Sequence, residues 1–264
     1  MPQLDVTMVG GPTTVFTLAG LTFMTDPTFD TPRTYPAPEG APVLTKTTTP
    51  GLGPEQLPHP DVVLLSHDEH ADNFDETGRE LASRVETVLC TPEADSRVPW
   101  ITGLGTWQTV DVTGTDGQVV HITGVPALHG PVGYEPISGT VTGFVLHGQN
   151  LPTVYVSGDN ASVELVEQIA ARFPDIDLAI LFAGGVRFGE AIFDNAEVTL
   201  TGETAAQAAT ILSGAQIVPA HVEGWAHFRE DIEDVRTAFA TAGLSDRLHV
   251  AAPGETVTVD APAH

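Results

Sequence analysis

Ten histidines accompany one cysteine and one lysine in this chain, so imidazole and carboxylate are its main reactive groups. The densest source is Ser66-His67-Asp68-Glu69-His70-Ala71-Asp72-Asn73, where five potential metal ligands fall within six residues. His129, Asp159 and His221 each follow a short β-forming run. Neutral imidazole and carboxylate together suit zinc first, with manganese or iron as alternatives. A divalent ion held by them acts as a Lewis acid and lowers the pKa of water, which is hydrolytic chemistry. The plainer reading of 67–72 is an acidic first helical turn. Five ligands immediately after a buried strand weigh against it. Other mechanisms lack parts: Lys46 is the only lysine, and neither a P-loop nor a G-x-S-x-G elbow occurs.

Rigid elements must position these residues, and the sequence supplies them. Leu4–Val9, Thr14–Leu18 and Leu21–Thr25 read as a meander, with Gly10-Gly11-Pro12 and Ala19-Gly20 as turns. A proline-rich loop follows, roughly Thr28–Pro60, long enough to act as a lid or a surface wrap. Asp61–Leu65 is a strand buried on both faces, Phe74–Val85 a helix and Thr87–Leu89 a strand. Trp107–Val112 and Val119–Val125 form one hairpin, Gly143–His147 and Thr153–Ser157 another. Ser162 caps a helix running to about Phe173. Leu178–Phe182 and Gln216–Pro219 are strands, and Glu203–Leu212 and Glu230–Ala242 helices. Leu248–Ala251 and Thr256–Val259 close a sheet. His67, His129, Asp159 and His221 thus sit at the ends of four strands, where one sheet edge gathers side chains.

Composition bounds the rest. A chain of 264 residues with 41% hydrophobic content suits one domain over 1–264 with a large core. Thirty-five acids against ten bases give a net charge of -25, which repels phosphate backbones and anionic lipid and argues against nucleic acid as a partner. No apolar run is long enough to span a bilayer, no signal peptide is visible, and Cys90 is a lone, buried-type cysteine. A cytoplasmic protein acting on a small molecule is expected, with homo-oligomerisation left open.

The whole pattern resembles the metallo-β-lactamase superfamily, in the branch similar to L-ascorbate-6-phosphate lactonase. Its strand-S/T-H-x-H-x-D-H motif looks like Ser66-His67…Asp72. The later parts look like His129-Gly130, Ser157-Gly158-Asp159 and Pro219-Ala220-His221. The resemblance runs from about Leu4 to Val259. It implies an α/β (α+β) fold, a four-layer αββα sandwich, and a metal-dependent hydrolase of a small ester, lactone or phosphoester with one or two divalent ions. A non-catalytic binding protein on the same fold is the alternative.

The first motif departs from the pattern. Without a gap, Glu69, Ala71 and Asp72 replace its last three ligands. With one inserted residue, His67, His70 and Asp72 keep their types and Asn73 replaces the last histidine. The second register is preferred, because it preserves three of four types. The resemblance then assigns His67, His70 and His129 to a first ion. Asp159 lies between two ions, and Asp72 and His221 hold the second or orient the attacking water. Asp72 and Asp159 are the catalytic candidates. Loss of the last histidine predicts one ion, or a weak second site. Asp26, Glu69 and Asn73 stand behind the ligands, and Asp26 could hold a ligating histidine by its other ring nitrogen. Arg187 is a candidate for an anionic substrate group and Trp225 for the pocket wall. Glu223 and His227 follow His221 closely enough to line the same pocket. His264 has no supporting context.

Overall fold

The computed structural model describes residues 3–37, 42–188 and 194–261. His264 and part of the proline-rich loop lie outside them. β1 (Gln3–Gly10), β2 (Thr13–Leu18) and β3 (Leu21–Thr25) form the opening meander, each antiparallel to the next. Within the proline-rich segment, β4 (Arg33–Thr34) and β5 (Thr45–Lys46) pair as a small hairpin that the sequence did not signal. The chain then turns parallel. β6 (Val62–Leu64), β7 (Thr87–Cys90) and β8 (Thr102–Gly103) continue the sheet from β3, linked through α1 (Glu76–Ala82) and α2 (Pro92–Arg97).

The second sheet repeats this plan. β9 (Thr109–Thr113), β10 (Val119–Pro126), β11 (Thr142–His147) and β12 (Val154–Val156) are antiparallel, with the short α3 (Glu135–Ser138) between β10 and β11. β13 (Leu178–Phe182) and β14 (Gln216–Ala220) then add in parallel, each reached through α4 (Val163–Arg172) and α5 (Gly202–Ile211) respectively. After α6 (Ile232–Thr241), β15 (Thr256–Asp260) returns to pair with β1. The sheet orders are β15-β1-β2-β3-β6-β7-β8 and β14-β13-β12-β11-β10-β9.

Side-chain alternation explains the layers. In β13, Leu178, Ile180 and Phe182 face the core between the sheets, while Ala179 and Leu181 face α4, α5 and α6. In β6, Val62 and Leu64 face inward and Val63 packs toward Ala82 and Ala94 of α1 and α2. Strands covered on both faces read as unbroken apolar runs for this reason. The result is the αββα sandwich. Burying a residue such as Leu64 stabilises it by about 1.5–3 kcal/mol. No helix among the described residues is long and apolar enough to cross a membrane.

Three boundaries differ from expectation. Leu248–Ala251 is not a strand: Leu248 makes one isolated bridge to Ile217, and Pro253-Gly254 soon turns the chain toward β15. The first helix starts only after Asp75, whose carboxylate caps it through Gly78 N. Phe74 instead packs into the core outside the first sheet. Trp107 precedes its strand, in a turn at φ 65°.

Candidate metal centre

The C-terminal ends of β3, β6, β10, β12 and β14 place Asp26, His67, His129, Asp159 and His221 at one edge of the two sheets. Three of these ends need unusual backbone, and Asp26 is one, at φ 26°. Gly158 has φ 57°, and a Cβ there would lie 2.7 Å from both the Ser66 Cβ and the Thr142 carbonyl oxygen. Glycine therefore lets the Asp159 turn press against the Ser66-His67 turn. His221 is itself left-handed at φ 58° and fully buried, pinned by its N–H to Gly11 O at 2.7 Å. Left-handed residues other than glycine concentrate at functional sites.

His67, His70 and His129 form one group. Their ring centroids are 4.7, 5.3 and 5.3 Å apart, and His67 Nε2 lies 2.9 Å from His70 Nδ1. The surroundings of His67 and His129 fix their tautomers. Ser66 donates its N–H to Asp26 Oδ1 at 2.6 Å and its hydroxyl to Oδ2 at 2.7 Å. The hydroxyl oxygen then accepts from His67 Nδ1 at 2.9 Å, which leaves the His67 Nε2 lone pair facing the group. His129 Nδ1 likewise donates to Val198 O at 2.5 Å and presents Nε2 toward Asp159. Burial, reinforced by His70, holds His67 well below the usual imidazole range. Burial and His129 bring His70 down to about 4. Both are neutral at pH 7, the form that ligates metal.

Asp72, Asp159 and His221 form the second group. His221 Nδ1 lies 3.0 Å from Asp159 Oδ1 and Nε2 lies 3.5 Å from Asp72 Oδ2. Neither contact is aligned as a hydrogen bond. Asp72 Oδ1, both Asp159 oxygens and both His221 nitrogens are buried without a hydrogen-bond partner. Burial raises both carboxyls, but the adjacent histidines more than reverse this, so each lies below its usual range. Burial lowers His221, and Asp159 and Asp72 pull it up to about 10. The orphaned carboxylate oxygens and a nitrogen of His221, beside a second group of three imidazoles, fit a divalent cation.

The remaining sequence candidates have separate places. Asn73 donates to Asp26 Oδ2 at 3.0 Å, so it braces the Asp26–Ser66–His67 chain. Burial raises Asp26 to about 7, against the hydrogen bonds from Asn73 and Ser66. Glu69 pairs with Arg97 at the mouth of a cavity of ≈ 320 Å³ that reaches His70, Asp72, His129 and Asp159. Arg187 pairs with Glu197, while its neighbours Val186 and Phe188 line the cavity. Trp225 is buried under the β4–β5 hairpin against Tyr35 and Lys46. Glu223 accepts from Gly11 N at 2.7 Å. Ser157 and Asn160 bond backbone groups of the turns around Asp159, and Asn160 Oδ1 holds Leu128 N beside His129. Sequence reasoning missed the cavity walls Tyr35, Leu44 and Ile137. The long proline-rich segment was the only signal for Tyr35 and Leu44, and nothing local signalled Ile137.

Comparison with known proteins agrees with this architecture. Residues 22–222 match the family model described as "Beta-lactamase superfamily domain". No curated protein matches the sequence. Among solved structures, the isothiocyanate hydrolase from Delia radicum gut bacteria is 20% identical with a TM-score of 0.80, over 97% of this chain and 99% of that one. A possible metal-dependent hydrolase from Veillonella parvula DSM 2008 is 19% identical with a TM-score of 0.81, over the same shares. CmlA, a diiron β-hydroxylase from Streptomyces venezuelae, is 15% identical with a TM-score of 0.68, over 98% of this chain and 54% of that one. At these identities the likeness is one of fold.

Proposed function

The chain belongs to the beta-lactamase superfamily, and we propose that it is a metal-dependent hydrolase of a neutral, largely apolar small-molecule ester or lactone. The observation that carries this reading is the pair of ligand groups, His67/His70/His129 and Asp72/Asp159/His221, two residues of each of which (His70 and His129, Asp72 and Asp159) line one cavity. A bound divalent ion supplies Lewis acidity and a lowered pKa for water. The protein's own residues do the rest. The Asp26–Ser66 pair and the Val198 carbonyl orient His67 and His129. Asp72 Oδ1 and the Asp159 oxygens lack donors and so can accept the hydrogens of an attacking water.

The walls argue for the substrate class. Tyr35, Leu44, Ile137, Val186 and Phe188 give the cavity an apolar lining, and Glu69 and Glu76 add negative charge. Arg33 pairs with Glu76, Arg97 with Asp68 and Glu69, and Arg187 with Glu197. These three guanidiniums are thus already matched to acids, so a phosphoester would meet repulsion. Nucleic acid is disfavoured on the same ground. A single buried cysteine, Cys90, keeps the cytoplasm as the proposed compartment.

The test is elemental analysis of protein purified without chelator or nickel, together with hydrolysis of matched carboxylic esters, lactones and phosphodiesters. We expect bound zinc, manganese or iron, and loss of metal and turnover together in Asp159→Ala and His129→Ala. Protein that takes up no ion after incubation with each metal refutes the hydrolase reading and leaves a binding protein. Faster turnover of phosphodiesters refutes the substrate class.

A further inference from the structure

The sequence motif lacks the histidine that would complete the second group, because Asn73 stands in its place. Asn73 is also committed elsewhere: its amide bridges Asp26 and the Ser66 hydroxyl at 3.0 and 3.4 Å. The structure brings a different imidazole to this position. His227 lies 155 residues from Asp72 in sequence, yet its Nε2 is 2.9 Å from Asp72 Oδ2.

We propose that His227 ligates the second metal ion, supplying from the loop after β14 the imidazole that Asn73 cannot. This rests on the metal-hydrolase reading. Asp72 Oδ2 has two imidazole nitrogens close by, His227 Nε2 at 2.9 Å and His221 Nε2 at 3.5 Å. Bonds of about 2.1 Å to a tetrahedral ion separate its ligand atoms by ~3.4 Å, and both distances are near that value. Asp72, Asp159 and His221 form the compact group, and His227 adjoins it through Asp72, so that its imidazole adds a second nitrogen to a nitrogen–oxygen set of the kind zinc accepts.

His227 is built into the site. It is buried, its ring stacks on Phe188 at 5.3 Å and 18°, and Phe228 meets its edge at 4.8 Å. Gly224, at φ 89°, turns the chain between His221 and His227. The adjoining Trp225 is anchored through its backbone bridge to Lys46. His221 and His227 therefore lie on one short loop held at both ends. A missing ligand from the first motif is replaced by a second ligand from the last.

The experiment is metal titration of chelator-treated protein by calorimetry with zinc, with cobalt absorption spectra as a report on the ligands. Wild type should take up two ions. His227→Ala should keep the first and weaken the second more than 100-fold, with a changed cobalt spectrum. That exceeds the 10–100-fold typical when a residue only supports a ligand. Adding Asn73→His to His227→Ala should recover the second ion, and Asn73→Ala alone should retain it. Three outcomes overturn the proposal. They are two undiminished ions in His227→Ala, loss of the second ion in Asn73→Ala but not in His227→Ala, or a single ion in wild type. The last leaves the hydrolase reading intact, whereas a wild type that binds no ion defeats that reading itself.

Discussion

Lys46, the only lysine of the chain, is buried at 4% exposure with its ammonium 3.0 Å from Asp75 Oδ2. Lys46→Met keeps the aliphatic stem and removes the charge. Breaking one side of a buried ion pair typically costs about 3–5 kcal/mol, because the remaining charge stays desolvated. Here Asp75 keeps two backbone donors, Asp30 N at 2.7 Å and Gly78 N at 2.8 Å, which favours the lower end. The ammonium also faces the Trp225 ring at 5.5 Å, worth about 0.5–2 kcal/mol. A loss of about 3 kcal/mol follows, equivalent to roughly 6–12 °C in Tm for a chain of this size. Urea denaturation of wild type, Lys46→Met, Asp75→Asn and the double variant measures it. The cycle should show about 1–3 kcal/mol of coupling. A single-variant loss below about 1 kcal/mol, or no coupling, would refute the buried-latch argument. Because β5 carries Lys46 and the same hairpin brings Tyr35 and Leu44 to the cavity, KM should rise in Lys46→Met more than kcat falls.

Two further outcomes follow. Asp26 is raised to about 7 in the folded protein from 3.8. The native state therefore keeps a proton that the unfolded state has released, and stability falls as pH rises between these values. The effect is about 1.4 kcal/mol per pH unit across that window, on the order of 4 kcal/mol in all. His70, held near 4 by burial, contributes the opposite sign up to its ordinary 6.5. The test is therefore the difference between wild type and Asp26→Asn in chelator-treated urea midpoints, and a pH-independent difference sinks it. Gly158→Ala meets Ser66 Cβ and Thr142 O at 2.7 Å and should cost about 2–5 kcal/mol with loss of metal. Gly117→Ala, at φ 83° with open space around it, should cost only about 1 kcal/mol, so equal losses would refute the steric account.

The sequence carried most of the strands because local chemistry specifies them: apolar runs for β6 and β13, glycine turns for the meander. It carried the site residues as strand-end positions. It could not carry their convergence, which depends on pairings such as β3 with β6 and on which sheet each strand joins. Asp26 meets Ser66 across 40 residues, and Asp72 meets His227 across 155. Leu248–Ala251 misled because its apolar pattern suits a strand but meets β14 at only one point. β4 and β5 were hidden because two-residue strands carry no periodicity. His227 was visible only as a neighbour of His221, since nothing local ties it to Asp72.

The altered first motif invites the view that this site has decayed into a metal-free pocket, and the energetics oppose that view. A buried polar atom without a partner costs about 1–3 kcal/mol. Asp72, Asp159 and His221 present five such atoms together, all within one small buried cluster. Attraction between His221 and the two carboxylates offsets part of this, yet none of the five atoms gains a directed bond from it. A decayed site has an easy escape, since apolar or hydrogen-bonded replacements at any of the three positions would relieve the strain. Here the opposite holds. Asn73, which replaces the missing ligand, hydrogen-bonds Asp26 and so supports His67, while His227 approaches Asp72 from another loop. The substitutions redistribute donors around the same point, and a divalent cation gives Asp72, Asp159 and His221 each a partner at once.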